Sequence, residues 1–81
     1  MEFDYSKHVQ NMLLEREIPE DWIRMSVESP DMRLMEDDGT VHYIKSIVEY
    51  DGQFLRMVVN PEQTPMRIVT FFFDRGLGRN G

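Results

Sequence analysis

The period of the hydrophobic pattern changes at Pro30, and this change constrains the fold more than any other feature of the chain. Before Pro30 the apolar residues recur at helical spacing, and after it they alternate as in strands with one buried face. At about 100° per residue, Tyr5, Val9, Met12, Leu13 and Arg16 share one face of a helix expected from about Ser6 to Arg16. Asp4 or Ser6 can cap its first turn. A second helix is announced by Pro19, suited to the first helical position, and by Glu20 and Asp21, whose charges favour the N-terminal dipole. Trp22, Ile23, Ser26 and Val27 give it an apolar stripe. Pro30 stops it, because the residue before a proline is biased out of the helical region.

After Pro30 the turn residues set the expected register. Met32 to Glu36 reads as a short strand, closed by Asp37-Asp38-Gly39-Thr40, with Gly39 able to take positive φ. Val41 to Tyr50 reads as the next strand. Asp51-Gly52 then suits a two-residue turn with positive φ at both positions. That turn would set Tyr50 opposite Gln53, Val48 opposite Leu55, Ile47 opposite Arg56 and Ser46 opposite Met57. A third strand to near Asn60, a loop to about Pro65 and a fourth strand from Arg67 to Asp74 complete the pattern. The expected fold is therefore α+β, with two N-terminal helices (about 6–29) on one face of a four-stranded antiparallel meander (about 32–74). The glycine-rich tail, residues 75–81, is expected to be flexible, and Gly76-Leu77-Gly78 reads as fraying rather than as a phosphate loop.

In this register Ile44, Val48, Leu55, Met57, Val59, Val69, Phe71 and Phe73 would lie under the helices. Tyr43, Lys45, Ile47, Phe54, Arg56, Val58, Ile68, Thr70 and Phe72 would form a mixed open face, a candidate binding surface.

An 81-residue chain has room for one domain only. It contains no cysteine, which removes disulfides and thiol chemistry, and its two histidines fall on different elements, so neither metal nor cofactor is expected. The acidic opening Met1-Glu2-Phe3-Asp4 lacks the positive start of an export signal, no apolar run approaches the roughly 20 residues of a membrane span, and the cytoplasm is the expected address. With 15 acidic against 9 basic residues the net charge is −6, which weighs against general nucleic-acid binding. The surplus is local. Residues 1–38 hold 11 acids and 4 bases, and residues 39–81 hold 4 acids and 5 bases.

The run Ser6-Lys7-His8, Met12, Glu15-Arg16-Glu17-Ile18-Pro19 and Trp22, followed by Asp38 to Lys45, resembles a family of small uncharacterised bacterial proteins, a domain-of-unknown-function family. Its later pattern is matched by Leu55-Arg56-Met57-Val58-Val59 and by Ile68-Val69-Thr70-Phe71-Phe72-Phe73. The order of elements is in turn similar to that of the RelE/ParE toxins and BrnT-like proteins. That likeness implies a metal-free ribonuclease, with basic and aromatic groups of the open sheet face and last strand acting on RNA. By position these would be Tyr43, Lys45, Arg56 and Arg75.

Each candidate also has a plainer role. His8 and Arg16 match the family motif. His8 could transfer protons or bond to Glu15, whereas Arg16 could bind helix-end carbonyls or Asp74. Lys45 and Arg56 could stabilise a phosphorane or pair with Glu49. Two functions therefore remain open. One is a toxin-like ribonuclease. The other is a non-catalytic interaction module or homodimer burying Ile47, Phe54 and Phe72, with an antitoxin-like protein as one expected partner.

Overall fold

A computed structural model describes residues 3–63 and 65–76. Its elements are β1 (Asp4–Tyr5), α1 (Lys7–Arg16), α2 (Glu20–Glu28), β2 (Met32–Met35), β3 (Val41–Ile47), a 3-10 turn (Val48–Tyr50), β4 (Gln53–Asn60) and β5 (Arg67–Phe73). Both helices start and stop close to where the residues direct. Ser6 Oγ accepts the Val9 amide (3.2 Å) and donates to the Val69 carbonyl (2.9 Å), so one side chain caps α1 and pins it to β5. Glu17 ends α1 at φ 53°, a left-handed conformation that costs a residue with a Cβ roughly 1–2 kcal/mol. In α2 the buried Ser26 returns its hydroxyl to the Trp22 carbonyl at 2.7 Å, which lets that polar group sit in the core.

The sheet departs from the expected meander in three respects. First, it has five strands in the order β1-β5-β4-β3-β2, and β1 runs parallel to β5 through Asp4↔Arg67 and Tyr5↔Ile68. Two residues carry no alternation pattern, so sequence alone does not announce this strand. Its anchors are distant in the chain: Asp4 N–H donates to Met66 O (2.9 Å), and Arg67 bonds Asp4 Oδ2 (2.7 Å).

Second, β3 ends at Ile47 rather than Tyr50. Asp51 and Gly52 do take positive φ (56° and 71°), but Val48–Tyr50 wind into a 3-10 turn and Ile47 pairs with Gln53. Tyr50 thereby leaves the strand and stacks on Phe73, ring centroids 4.4 Å apart, while Trp22 meets both rings edge-on.

Third, this pairing moves β4 by three places along β3, an odd number, so the faces of β3 exchange. Val41, Tyr43 and Ile47 join the helix-side core with Leu55, Met57, Val59, Ile68, Phe71 and the helical Val9, Met12, Ile23 and Val27. Val48, expected inside, is exposed. Ile47 and Ile68, expected on the open face, are buried. A bulge between Val58 and Val59 carries β5 across the irregularity, setting Val58 against Thr70 and Val59 against Ile68. It brings Ile68 to the helix side and leaves Val69 exposed.

The register has a direct test, since the chain has no cysteine of its own. Ser46 and Phe54 are cross-strand partners, so a Ser46→Cys/Phe54→Cys variant should form an intramolecular disulfide readily under air. A Ser46→Cys/Met57→Cys variant, matched to the shorter turn, should not. Glu17→Gly should raise stability by about 1 kcal/mol in urea unfolding, because glycine accepts the left-handed conformation freely.

Candidate functional site

With β3 turned over, His42 and Arg56 come to the same helix-free face from neighbouring strands. His42 pairs with Val58 and Leu34, and Arg56 with Ile44 and Phe72. Arg56 is the hub. Its Nε donates to His42 Nδ1 (2.8 Å), one terminal nitrogen donates to Asp74 Oδ2 (2.8 Å) and the other to Glu36 Oε1 (3.2 Å). Glu36 also lies 3.8 Å from His42 Nδ1. The cluster therefore joins the residue after β2, the start of β3, the middle of β4 and the residue after β5.

The geometry of each member follows from local structure. Glu36 is held where β2 turns, with its amide on the Thr40 carbonyl (2.9 Å) and its carbonyl accepting from the Gly39 amide (3.1 Å). In the same turn Asp38 accepts the Thr40 hydroxyl and amide, which hold its carboxyl below the usual carboxylate range. Asp74 donates its amide to the Phe54 carbonyl (2.8 Å), and its other carboxylate oxygen accepts from Gly76, so its orientation is set from both sides.

The Arg56 and His42 side chains are only 16% and 15% exposed, so the cation is largely withdrawn from water and its paired carboxylates offset the desolvation. With Nδ1 accepting from Arg56, His42 has Nε2 as its remaining polar atom, an N–H donor in the neutral ring. Counting Arg56, Glu36 and Asp74, the ionised groups of the cluster sum to −1.

The residues singled out in the sequence do not assemble here as a set. Only Arg56 occupies the cluster. Tyr43 is buried on the helix side, with the Arg33 guanidinium 5.9 Å from its ring centroid. Lys45 shares that parity and lies 4.0 Å from Asp31. Arg75 is exposed in the turn after Asp74. His8 and Arg16 are exposed on α1. Thr70 turns its hydroxyl to the Met12 sulfur (3.9 Å) at the bulge. The sequence does not bring His42, Glu36 and Asp74 to Arg56: pairing Tyr50 with Gln53 would put His42 on the face opposite Arg56, Asp74 is expected only as a partner for Arg16, and the two carboxylates lie just outside strands, where alternation says nothing.

Around the cluster the helix-free face exposes Met32, Leu34 and Phe72, with Phe54 half-buried. A separate pocket of about 310 Å³ lies where β1, α1 and α2 meet, lined by Tyr5, Gln10, Leu13, Leu14 and Glu20. Burial, and secondarily the charge of Glu20, push the Tyr5 phenol up against the opposing pull of Arg24, so it stays a neutral donor. Among the described residues no three His, Cys, Asp or Glu side chains are grouped to hold a metal ion, and no helix is long and apolar enough to cross a membrane.

Two helices on one face of a five-stranded mixed sheet, with an arginine-centred polar cluster on the other, define a small α+β domain. The chain belongs to the family described as a domain of unknown function, DUF4258, whose model matches residues 5–73. No curated protein and no solved structure matches it.

Removing the hub should cost more than removing one arm. Arg56→Ala leaves Glu36 and Asp74 without their shared cation and should lower stability by about 1–3 kcal/mol in urea unfolding. His42→Ala should cost less, about 1 kcal/mol.

Proposed function

We propose that the domain is a non-catalytic protein-binding module that uses the helix-free face of its sheet. The observation that carries this reading is the state of Arg56: the guanidinium expected to meet phosphate is already shared between Asp74 and Glu36. A phosphodiester approaching it meets a cluster of net −1 on a chain of net −6, the reverse of the basic footprint that nucleic-acid binding needs. A protein partner has no such obstacle. Arginine, methionine and aromatic side chains with apolar neighbours are the groups enriched at protein interfaces, and Arg56, Met32, Leu34 and Phe72 supply that mixture.

One observation favours the ribonuclease reading, with its likeness to RelE/ParE and BrnT proteins. Glu36, His42 and Arg56 place a carboxylate, an imidazole and a cation together on a sheet face. In that role Glu36 would take the proton of the RNA 2′-hydroxyl, Arg56 would stabilise the phosphorane, and His42 would protonate the leaving 5′-oxygen as an imidazolium, which requires it first to give up the bond it accepts from Arg56 Nε. Tyr43 and Lys45, on the other side of the sheet, have no part in such a site.

The two readings separate experimentally. A photo-crosslinking residue in place of Phe72, expressed in the organism of origin, should give a discrete protein adduct, whereas one in place of Lys7 should not. Purified protein should leave single-stranded RNA intact in the presence of chelator. Adducts from the Lys7 position alone would overturn the binding reading, as would RNA cleavage that His42→Ala abolishes.

A further inference from the structure

The sheet has one free edge of four residues. Strand β2 is last in the strand order and all four of its residues are exposed, whereas the opposite edge is closed by the two-residue β1 leading directly into α1. The Glu36 amide bonds Thr40 O inward. Antiparallel alternation carried back from that bond turns Leu34 and Met32 toward β3 and points the backbone groups of Arg33 and Met35 outward. Among the described residues nothing pairs with that edge. Its side chains are apolar on both faces, with Met32 and Leu34 on the helix-free side and Met35, 75% exposed, on the other. The residues bounding it are acidic: Asp31 on one side, with Lys45 at 4.0 Å, and on the other Glu36, which Arg56 approaches to 3.2 Å, followed by Asp37 and Asp38.

We propose that the β2 edge receives an extended, basic segment of a partner protein as an added antiparallel strand, with alternate apolar side chains continuing the helix-free face. This rests on the protein-binding reading of that face and specifies the partner's chemistry. Main-chain bonds to Arg33 and Met35 supply the geometry, and lysine or arginine at the segment's ends meets the flanking carboxylates. A second copy of this chain fits poorly. Antiparallel self-pairing that keeps the helices on one side would set Arg33 opposite Arg33 if centred there, and like charges directly opposite destabilise a sheet; a register centred on Met35, which sets Arg33 opposite Asp37, would have to draw that turn residue into the strand.

The test is a titration of the full chain with the peptide KVKITVK and its acidic counterpart EVEITVE, followed by amide shifts and hydrogen exchange. The basic peptide should bind saturably, protect the Arg33 and Met35 amides, and weaken at least about threefold between roughly 0.05 and 0.5 M salt. Arg33→Pro, which removes an outward amide at an edge position that tolerates proline, should abolish protection. Asp37→Lys, in an exposed turn, should weaken binding about threefold without touching the backbone contacts.

Equal binding of the acidic peptide, or protection of Arg33 and Met35 by self-association without peptide, would overturn the proposal. Saturable shifts confined to Phe54 and Phe72, with Arg33 and Met35 unprotected, would overturn strand addition while leaving the face reading standing. Absence of saturable binding by the basic peptide would overturn the edge proposal, and the crosslink from Phe72 would then decide the face on its own.

Discussion

The stack of Tyr50 on Phe73, with Trp22 against both rings, is the constraint on which the arrangement of this domain depends. Each aromatic pair contributes roughly 0.5–1.5 kcal/mol beyond the area it buries, and the three link α2, the β3–β4 connection and the end of β5. To make the stack, Tyr50 must leave the strand, and β3 must end at Ile47. The hairpin lengthens, the register moves by three, and the whole of β3 presents its other side to the helices. Val41, Tyr43 and Ile47 enter the core, and His42 and Arg56 come together on the far face. Exposing Val48 is the local loss. Three large apolar residues under the helices and an aromatic trio outweigh it.

That chain of consequences explains what was legible beforehand. Helices are local objects: Ser6, Pro19 and Pro30 mark their ends, and the spacing of Val9, Met12, Ile23 and Val27 marks their buried faces, so these were readable. Strands β2, β4 and β5 were readable for the same reason, through alternation and bounding turns. Asp51 and Gly52 both take the positive φ that their residue types predict. What the turn residues cannot convey is how many residues precede them in the loop. That number is set by a side chain, Tyr50, choosing a partner 23 positions away in Phe73. Strand β1 was hidden by the same physics, since its bonds run to Met66 and Ile68 across the chain. Membership of the family, by contrast, was carried by short motifs that need no register, and it survives the correction.

The candidate site turns on the parity of β3. Tyr43, Lys45 and Arg56 share a face only if Tyr50 pairs with Gln53, whereas Ile47 does so. With the true pairing, Arg56 exchanges those neighbours for His42 and for two carboxylates that flank strands rather than lie within them. The exchange alters the chemistry. A free cation beside a phenol and a lysine would draw phosphate, whereas a guanidinium shared between Glu36 and Asp74 has little charge left to offer a second anion. It is better suited to hold β2, β3, β4 and the end of β5 in one geometry, which gives the surrounding Met32, Leu34 and Phe72 a fixed surface to present.

The distribution of charge then bears on recognition rather than on folding. Most of the acidic surplus lies in residues 1–38, on the helices and at the two ends of β2, while the buried sheet strands carry few acids to repel one another. A short edge strand with apolar faces is ordinarily a liability, because its unpaired amides and carbonyls are a template for any passing strand. Acidic residues at both ends reduce that liability selectively. In the proposed strand addition they would repel an acidic strand and attract a basic one. Of the two carboxylates that occupy Arg56, Glu36 also bounds β2, so the polar cluster and the edge proposed to receive a basic strand share one acidic group.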